Sequence, residues 1–547
     1  MNTPSSPQPS APPADPARVA IGGAVRAFSG VTLLSRVGGL ARDLLLIRVF
    51  GGPTAISSAF VSAFAIPNMF RRLFGEGALS AAFIPEYTRA AKDDPAHADR
   101  LASLTLTLLL LATTGVTVLA EVVLLAVLWA APGNADRVLL IQLLMVMLPF
   151  MPLICAAAIL GGMLQVHGRF GPSATGPLIL NGFIITAGMV SLTTGWIGGT
   201  QTAFVMGSVT VASGLTQCVW FLLILRPHVR WTRVFTGTGD TARRMLRRFV
   251  PVMLGLGTLQ INALLDTLWA AWPLAVGPTV FGFAYPMDDR SASVLAFTQR
   301  LYQFPLGVFG IAVATAVFPM LSRHADDGTH FAAILRRGLR LSMFIGVPAA
   351  VGLAMVRHDL VATLFSGRHG FTQGDLDRAA MVLLGFAPGV VAYSLNHVFT
   401  RAFYARGEMT TPMRVAIGTV ALNLVLNLVL IWPFGHAGCG EAGLAWATTI
   451  SATVQCVVLA RLSRRFAGGP LIDREMARAI ATTLAASAAM AGVLLLIHAM
   501  LPARTGWRFH AGSLAAACVA GASVYAGVAH RLGSYELRWL THPRDER

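Results

Sequence analysis

SRVGGLARDLLLIRVF occupies residues 35–50, and PNMFRRLFGEGALSAAFIP occupies residues 67–85. Both lie in apolar runs long enough to cross a bilayer, yet both carry charge. Arg36, Arg42 and Asp43 fall in the first; Arg71, Arg72 and Glu76 fall in the second. One arginine at a helix centre costs about 2.5–3.5 kcal/mol on insertion scales, so four cost about 10 kcal/mol. Such a burden is carried only where the side chains face a wet interior. A hydrated pocket lined by guanidinium groups is a site for an anion.

The rest of the chain sets the context. Of 547 residues, 55% are hydrophobic and only 12% charged; a soluble protein carries about twice that charge fraction. Apolar stretches of membrane-crossing length recur from Val31 to Val528. They are continuous rather than alternating, which excludes a transmembrane β-barrel and predicts an all-α polytopic membrane protein. Fourteen spans are expected: 24–50, 55–85, 102–131, 138–166, 174–196, 200–225, 248–274, 292–321, 334–356, 378–404, 412–433, 441–463, 476–500 and 510–531. Residues 1–20, rich in Pro, Ser and Ala, read as a disordered tail without the basic and apolar regions of a cleaved signal peptide.

The net charge of +17 is almost all arginine, Lys92 being the only lysine. Nucleic-acid binding is disfavoured because the charge sits in loops between membrane segments. Arg226, Arg230, Arg233, Arg243, Arg244, Arg247 and Arg248 follow span six, and Arg461, Arg464, Arg465, Arg474 and Arg478 follow span twelve. Alternate loops are far poorer in arginine, which predicts both termini in the cytoplasm. The five cysteines show neither disulfide nor metal spacing.

Two stretches repeat at nearly the same offset, about 235–240 residues. ALSAAFIPEYTRA (78–90) echoes AVATAVFPMLSRH (312–324), and VHGRFGPSATGP (166–177) echoes YARGEMTTP (404–412). Six spans fit within that offset, so the copies share orientation and form two lobes related by an axis along the membrane normal. The expected units are a first lobe over 21–226, a basic linker over 227–247, a second lobe over 248–465, an added helix pair over 466–531 and a cytoplasmic tail over 532–547.

Arg36 and Asp43, seven apart, share a helical face, and Arg72 can pair with Glu76 four residues on. Arg300 opens QRLYQFPLGVFG (299–310) in span eight. Prolines and glycines interrupt these same segments, which a bilayer tolerates where the backbone lines a cavity. Substrate contacts are therefore expected from Arg36, Arg42, Asp43, Arg71, Arg72, Glu76 and Arg300. A second constellation joins Asp266 of span seven with Asn423 and Asn427 of span eleven and Thr448 of span twelve; such oxygens suit a hard cation. Asp288, Asp289 and Arg290 are read as a solvated exterior loop, and His397 as an interior histidine. No nucleotide, metalloprotease or serine-nucleophile motif occurs.

SRVGGLARD, PNMFRRLFGEGALSAAFIP, FPLGVFG and AFYARGEMTTP together resemble the MurJ/MviN family of lipid II flippases, within the superfamily of multidrug, oligosaccharidyl-lipid and polysaccharide exporters. The resemblance runs from about Ser35 through span twelve. It implies fourteen helices around a central cavity, a terminal helix pair forming a groove for a polyprenyl tail, and essential cavity arginines at Arg36, Arg42, Arg71 and Arg300. It implies a transporter, not an enzyme, in a bacterial inner membrane, with lipid II, membrane lipids and the peptidoglycan synthesis machinery as partners. No cofactor is expected beyond a sodium ion, which some members hold at positions matching the Asp266 cluster. Three positions depart: Ser58, Gln299 and Gln303 stand where the family often has acids. The rivals are a sister exporter of other lipid-linked glycans or drugs and, more distantly, a polyprenyl-phosphate glycosyltransferase relying on Asp288 and Asp289.

Overall fold

A computed structural model describes residues 34–35, 37–75, 78–466, 471–500 and 506–541. The fold is a bundle of long helices, as a hydrocarbon environment demands of a chain that must satisfy its own backbone. Among the described residues, ten helical stretches are long and apolar enough to cross a membrane. In the first half these belong to α4 (Pro95–Ala130), the pair α5 (Ala135–Met147) and α6 (Phe150–Val166), α8 (Gly176–Thr194) and α9 (Thr200–Leu225), with a short α7 (Phe170–Ala174) between. In the second half they are α14 (Gly328–Met355), the pair α16 (Gln373–Phe386) and α17 (Gly389–Ala405), α18 (Thr410–His436) and α19 (Gly440–Ser463). Two more, α20 (Arg474–Met500) and α21 (Trp507–Arg531), follow.

The remaining four expected spans are less apolar or interrupted. They are α1 (37–50), α2 (Ala55–Gly75), α10 (Gly239–Ala270) and the broken rod α12 (Ser291–Pro305) with α13 (Ile311–Arg323). A π-turn, Leu306–Gly310, joins the two parts of that rod where Pro305 cannot donate to the helical ladder. Of the span expected over 55–85 the structure describes α2 and α3 (Ala78–Asp93), residues 76–77 lying outside the described residues.

Ser58 and Ser293, 235 residues apart, are hydrogen-bonded through their hydroxyls at 3.1 Å, and the Ser293 amide donates to Ser58 Oγ at 3.2 Å. This contact closes the seam between α2 and α12 at the end opposite the arginine-rich loops.

Short helices and one hairpin lie at that same end: α11 (Trp272–Ala275), a two-stranded antiparallel pair β1 (Thr279–Val280) and β2 (Phe283–Ala284), and α15 (Arg357–Phe365). The terminal pair packs on the second half: Tyr525 donates to the Phe344 carbonyl at 2.6 Å, and Asp359 of α15 accepts from Ser513 at 2.6 Å. A last helix, α22 (Tyr535–Thr541), is tied in where buried Glu536 meets Arg340 at 2.7 Å.

Candidate functional site

The four least apolar rods converge on one hollow. A cavity of about 430 Å³ is lined by Arg42 and Asp43 of α1, Arg71 and Arg72 of α2, Gln260, Asn262 and Asp266 of α10, and Gln299 and Arg300 of α12. Tyr302, Gln303, Tyr393, His397 and Thr448 complete its second-half wall. A narrower extension shares Arg42, Asp43, Arg72 and Arg300 and continues among Phe60, Phe64 and Phe297. The break in span eight opens onto this space, since Phe304, Leu306, Gly307 and Ile311 also line it. Four guanidinium groups against two carboxylates leave the wall with a surplus of two positive charges.

Each arginine is aimed by a neighbour. Arg42 places Nε and NH2 on Asp43 Oδ1 at 2.9 and 2.7 Å and gives NH1 to Asn181 Oδ1 at 3.2 Å. Asn181 of α8 in turn donates to the Ser35 carbonyl at 3.1 Å, which fixes the amide that holds Arg42. The other oxygen of Asp43 meets Arg300 Nε at 3.1 Å. One carboxylate thus ties together guanidinium groups from the first and eighth spans. Arg300 also lies 3.4 Å from Gln303 Oε1, Arg71 donates to Asn68 Oδ1 at 2.9 Å, and Arg72 reaches Gln260 Oε1 of the opposite half at 3.3 Å. Charge-assisted bonds of this kind set the direction of a planar fork as well as its energy.

Arg42, Asp43, Arg71, Arg72 and Arg300 are therefore assembled as expected, whereas Arg36 and Glu76 lie outside the described residues. The second constellation also assembles. Asp266, 1% exposed, accepts from Asn427 Nδ2 at 2.7 Å and from Thr448 Oγ1 at 2.8 Å. Asn423 stands 3.0 Å from Asn427, and the amide orientation that satisfies both its ends donates to Asn262 Oδ1 at 2.8 Å. Asn427 Oδ1 is buried without a donor. A carboxylate with only neutral partners, beside an orphaned amide oxygen, is a donor set a hard cation would complete.

Asp288 lies exposed in its exterior loop, and there Arg378 of α16 grips both its oxygens at 2.9 and 2.8 Å while also pairing with buried Glu441. Burial alone raises the Asp288 carboxyl, but Arg378, Ser291 and the Arg290 amide together hold it below the ordinary carboxylate value. His397 is an interior histidine that lines the cavity wall. Sequence reasoning did not single out Asn68, Asn181, Gln260 and Asn262. Only Asn262 carried a signal, its spacing of four from Asp266 on one helix.

Comparisons with known proteins agree with this geometry. The family model described as "Lipid II flippase MurJ" matches residues 48–515. A probable lipid II flippase from Vibrio cholerae is 31% identical over 487 residues, covering 85% of this chain and 87% of that protein. A probable lipid II flippase from Rhizobium tropici is 30% identical, covering 85% of each. Among solved structures, a lipid II flippase in an inward closed conformation aligns over 92% of this chain and 99% of its own, with TM-score 0.71 at 21% identity. An inward-facing multidrug transporter of the same superfamily covers 81% of this chain and 98% of its own, with TM-score 0.63 at 15% identity; at such identity the likeness is one of fold. A multi-pass membrane bundle with a charged central cavity, matched over most of its length by one family model, this chain belongs to the lipid II flippase MurJ family, whose members are transporters rather than enzymes.

Proposed function

We propose that this protein carries lipid II across a bacterial inner membrane, from the cytoplasmic to the periplasmic leaflet, by alternating access of its central cavity. The observation that carries the reading is Asp43 holding Arg42 and Arg300, from spans one and eight, on the wall of a hollow large enough for a polar headgroup. Arginine forks bind phosphate oxygens bidentately and remain charged at any physiological pH, so Arg42, Arg71 and Arg300, with Arg36 near them in sequence, suit a diphosphate. The sugar–peptide headgroup occupies the space toward Tyr302, Tyr393 and His397, while the polyprenyl tail stays in lipid along α20 and α21.

With the arginine-rich loops and both termini in the cytoplasm, the Ser58–Ser293 contact is a periplasmic closure. Rocking of the two halves parts that seam after loading. An inside-negative potential favours outward movement of two phosphate charges by about 4–5 kcal/mol per 100 mV and draws the empty cationic cavity back. The Asp266 cluster would hold sodium, through Asp266, Asn423, Asn427 and Thr448, as a coupling ion. Peptidoglycan synthesis enzymes supply and consume the cargo.

Purified protein in liposomes, given lipid II or another polyprenyl-diphosphate glycan, tests the assignment. Translocation of lipid II, lost in Arg42→Ala and Arg300→Ala, is the expected result. Movement of the other glycan alone would overturn the cargo, and full activity in both variants would overturn the site.

A further inference from the structure

The connection between spans seven and eight is long, aromatic and free of charge. From Thr267 to Met287 no residue carries a charge, and the stretch holds Trp269, Trp272, Phe281, Phe283 and Tyr285. Its hairpin is well built. Thr279 pairs with Ala284 and Val280 with Phe283, the Tyr285 amide donates to the Pro278 carbonyl at 2.8 Å, and Trp272 Nε1 donates to the Thr279 carbonyl at 3.3 Å. Trp272 stacks between Trp269 and Tyr285 at 6.0 and 5.8 Å, and Tyr285 bonds the Trp269 carbonyl at 2.8 Å. This foundation supports a tip of Phe281 and Gly282, where Phe281 adopts φ +47°, a conformation unfavourable for a residue with Cβ. The strain presents the Phe281 ring outward at 96% exposure, with Phe283 at 69%.

A water-facing tip would have every reason to carry charge and none to hold a phenyl ring at that cost. The same end of the bundle shows where the ring belongs. Trp129 at the end of α4, Trp196 just beyond α8 and Trp507 at the start of α21 are all exposed at the level where helices leave the hydrocarbon. They form an aromatic belt of the kind found at membrane–water interfaces. We infer that the β1–β2 hairpin continues this belt, its Phe281 and Phe283 rings inserted into the headgroup layer of the leaflet at the end opposite the arginine-rich loops. The occupant of this surface is lipid, because a charge-free, aromatic tip at the same end as three exposed tryptophans matches an interfacial layer. The hairpin is thereby an anchor for α10, the helix that carries Gln260 and Asp266, while the halves move.

The test uses full-length protein with Cys518→Ala, removing the exposed native thiol, reconstituted in phosphatidylethanolamine–phosphatidylglycerol vesicles. An environment-sensitive fluorophore is placed at Phe281→Cys and, independently, at Phe283→Cys. Arg368→Cys in an exposed loop at the same end serves as the aqueous reference, and Val122→Cys on exposed α4 as the lipid reference. Expected are quenching by shallow nitroxide lipid comparable to Val122→Cys, and iodide quenching cut by about half or more relative to Arg368→Cys. Iodide quenching of both hairpin labels equal to that at Arg368→Cys would overturn the anchor. So would shielding that appears only in native membranes and not in vesicles, which would mean a protein partner covers the tip.

Discussion

Asp43 and Asp266 are both buried carboxylates on the wall of one cavity, and their surroundings are opposite in kind. Asp43 is clasped by two guanidinium groups, so its charge is spent on cations that themselves remain in surplus. Asp266 receives only an amide and a hydroxyl, which satisfy its lone pairs without neutralising it. The first region is short of negative charge and the second of positive charge. Charge balance, rather than polarity as such, separates a site for an anion from a site for a cation, and the cavity borders both.

The largest way to break this contrast is to remove a cation from the first region. Arg42→Ala should lower lipid II transport in liposomes about 100-fold, because roughly 3 kcal/mol of charge-assisted bonding to the cargo disappears. Arg42→Lys should recover only part, keeping the charge but not the fork. Equal amounts of protein in the membrane make the measurement decisive, and wild-type rates from both variants would place Arg42 in a purely structural role.

A smaller effect is expected at the second region. In the native chain, sodium at 100 times its dissociation constant should stabilise the fold by about 2.7 kcal/mol, read as a rise in melting temperature. Asp266→Asn should abolish that rise, while the neutral side chain still accepts from Thr448. A sodium response surviving this change would remove the cation from the cluster.

The smallest effect sharpens the balance itself. Gln303 sits 3.4 Å from Arg300, so Gln303→Glu adds a carboxylate to the cationic wall. Diphosphate binding should weaken about 5-fold at neutral pH, the equivalent of about 1 kcal/mol, and recover as pH falls below about 4 and the new acid protonates. Calorimetric titration with pyrophosphate reads the change; unaltered affinity would show that Gln303 is too remote from the bound anion to matter.

The sequence exposed the charged half of this arrangement and hid the neutral half. Arg42, Asp43, Arg71, Arg72 and Arg300 were conspicuous because charge inside apolar runs has no cheap explanation. Asn68, Asn181 and Gln260, which aim those arginines, sit in helices where a single amide is unremarkable. The membrane spans were legible from hydrophobic length, but the π-turn inside span eight was not, since the apolar run continues through Leu306–Gly310. The clasp of Arg378 on Asp288 was hidden because a loop position says nothing about a partner 90 residues away. The hairpin was invisible for a related reason: its strands are two residues long, too short for any alternation to register.

The serine pair joining α2 to α12 has a consequence for how the two halves part. Ser293 keeps its own hydroxyl proton on the Arg290 carbonyl, so Ser58 is the donor across the seam. A salt bridge in that place would leave two charges to be rehydrated each time it opened. A pair of hydroxyls leaves none, so the halves separate without stranding an uncompensated charge in the opening gap.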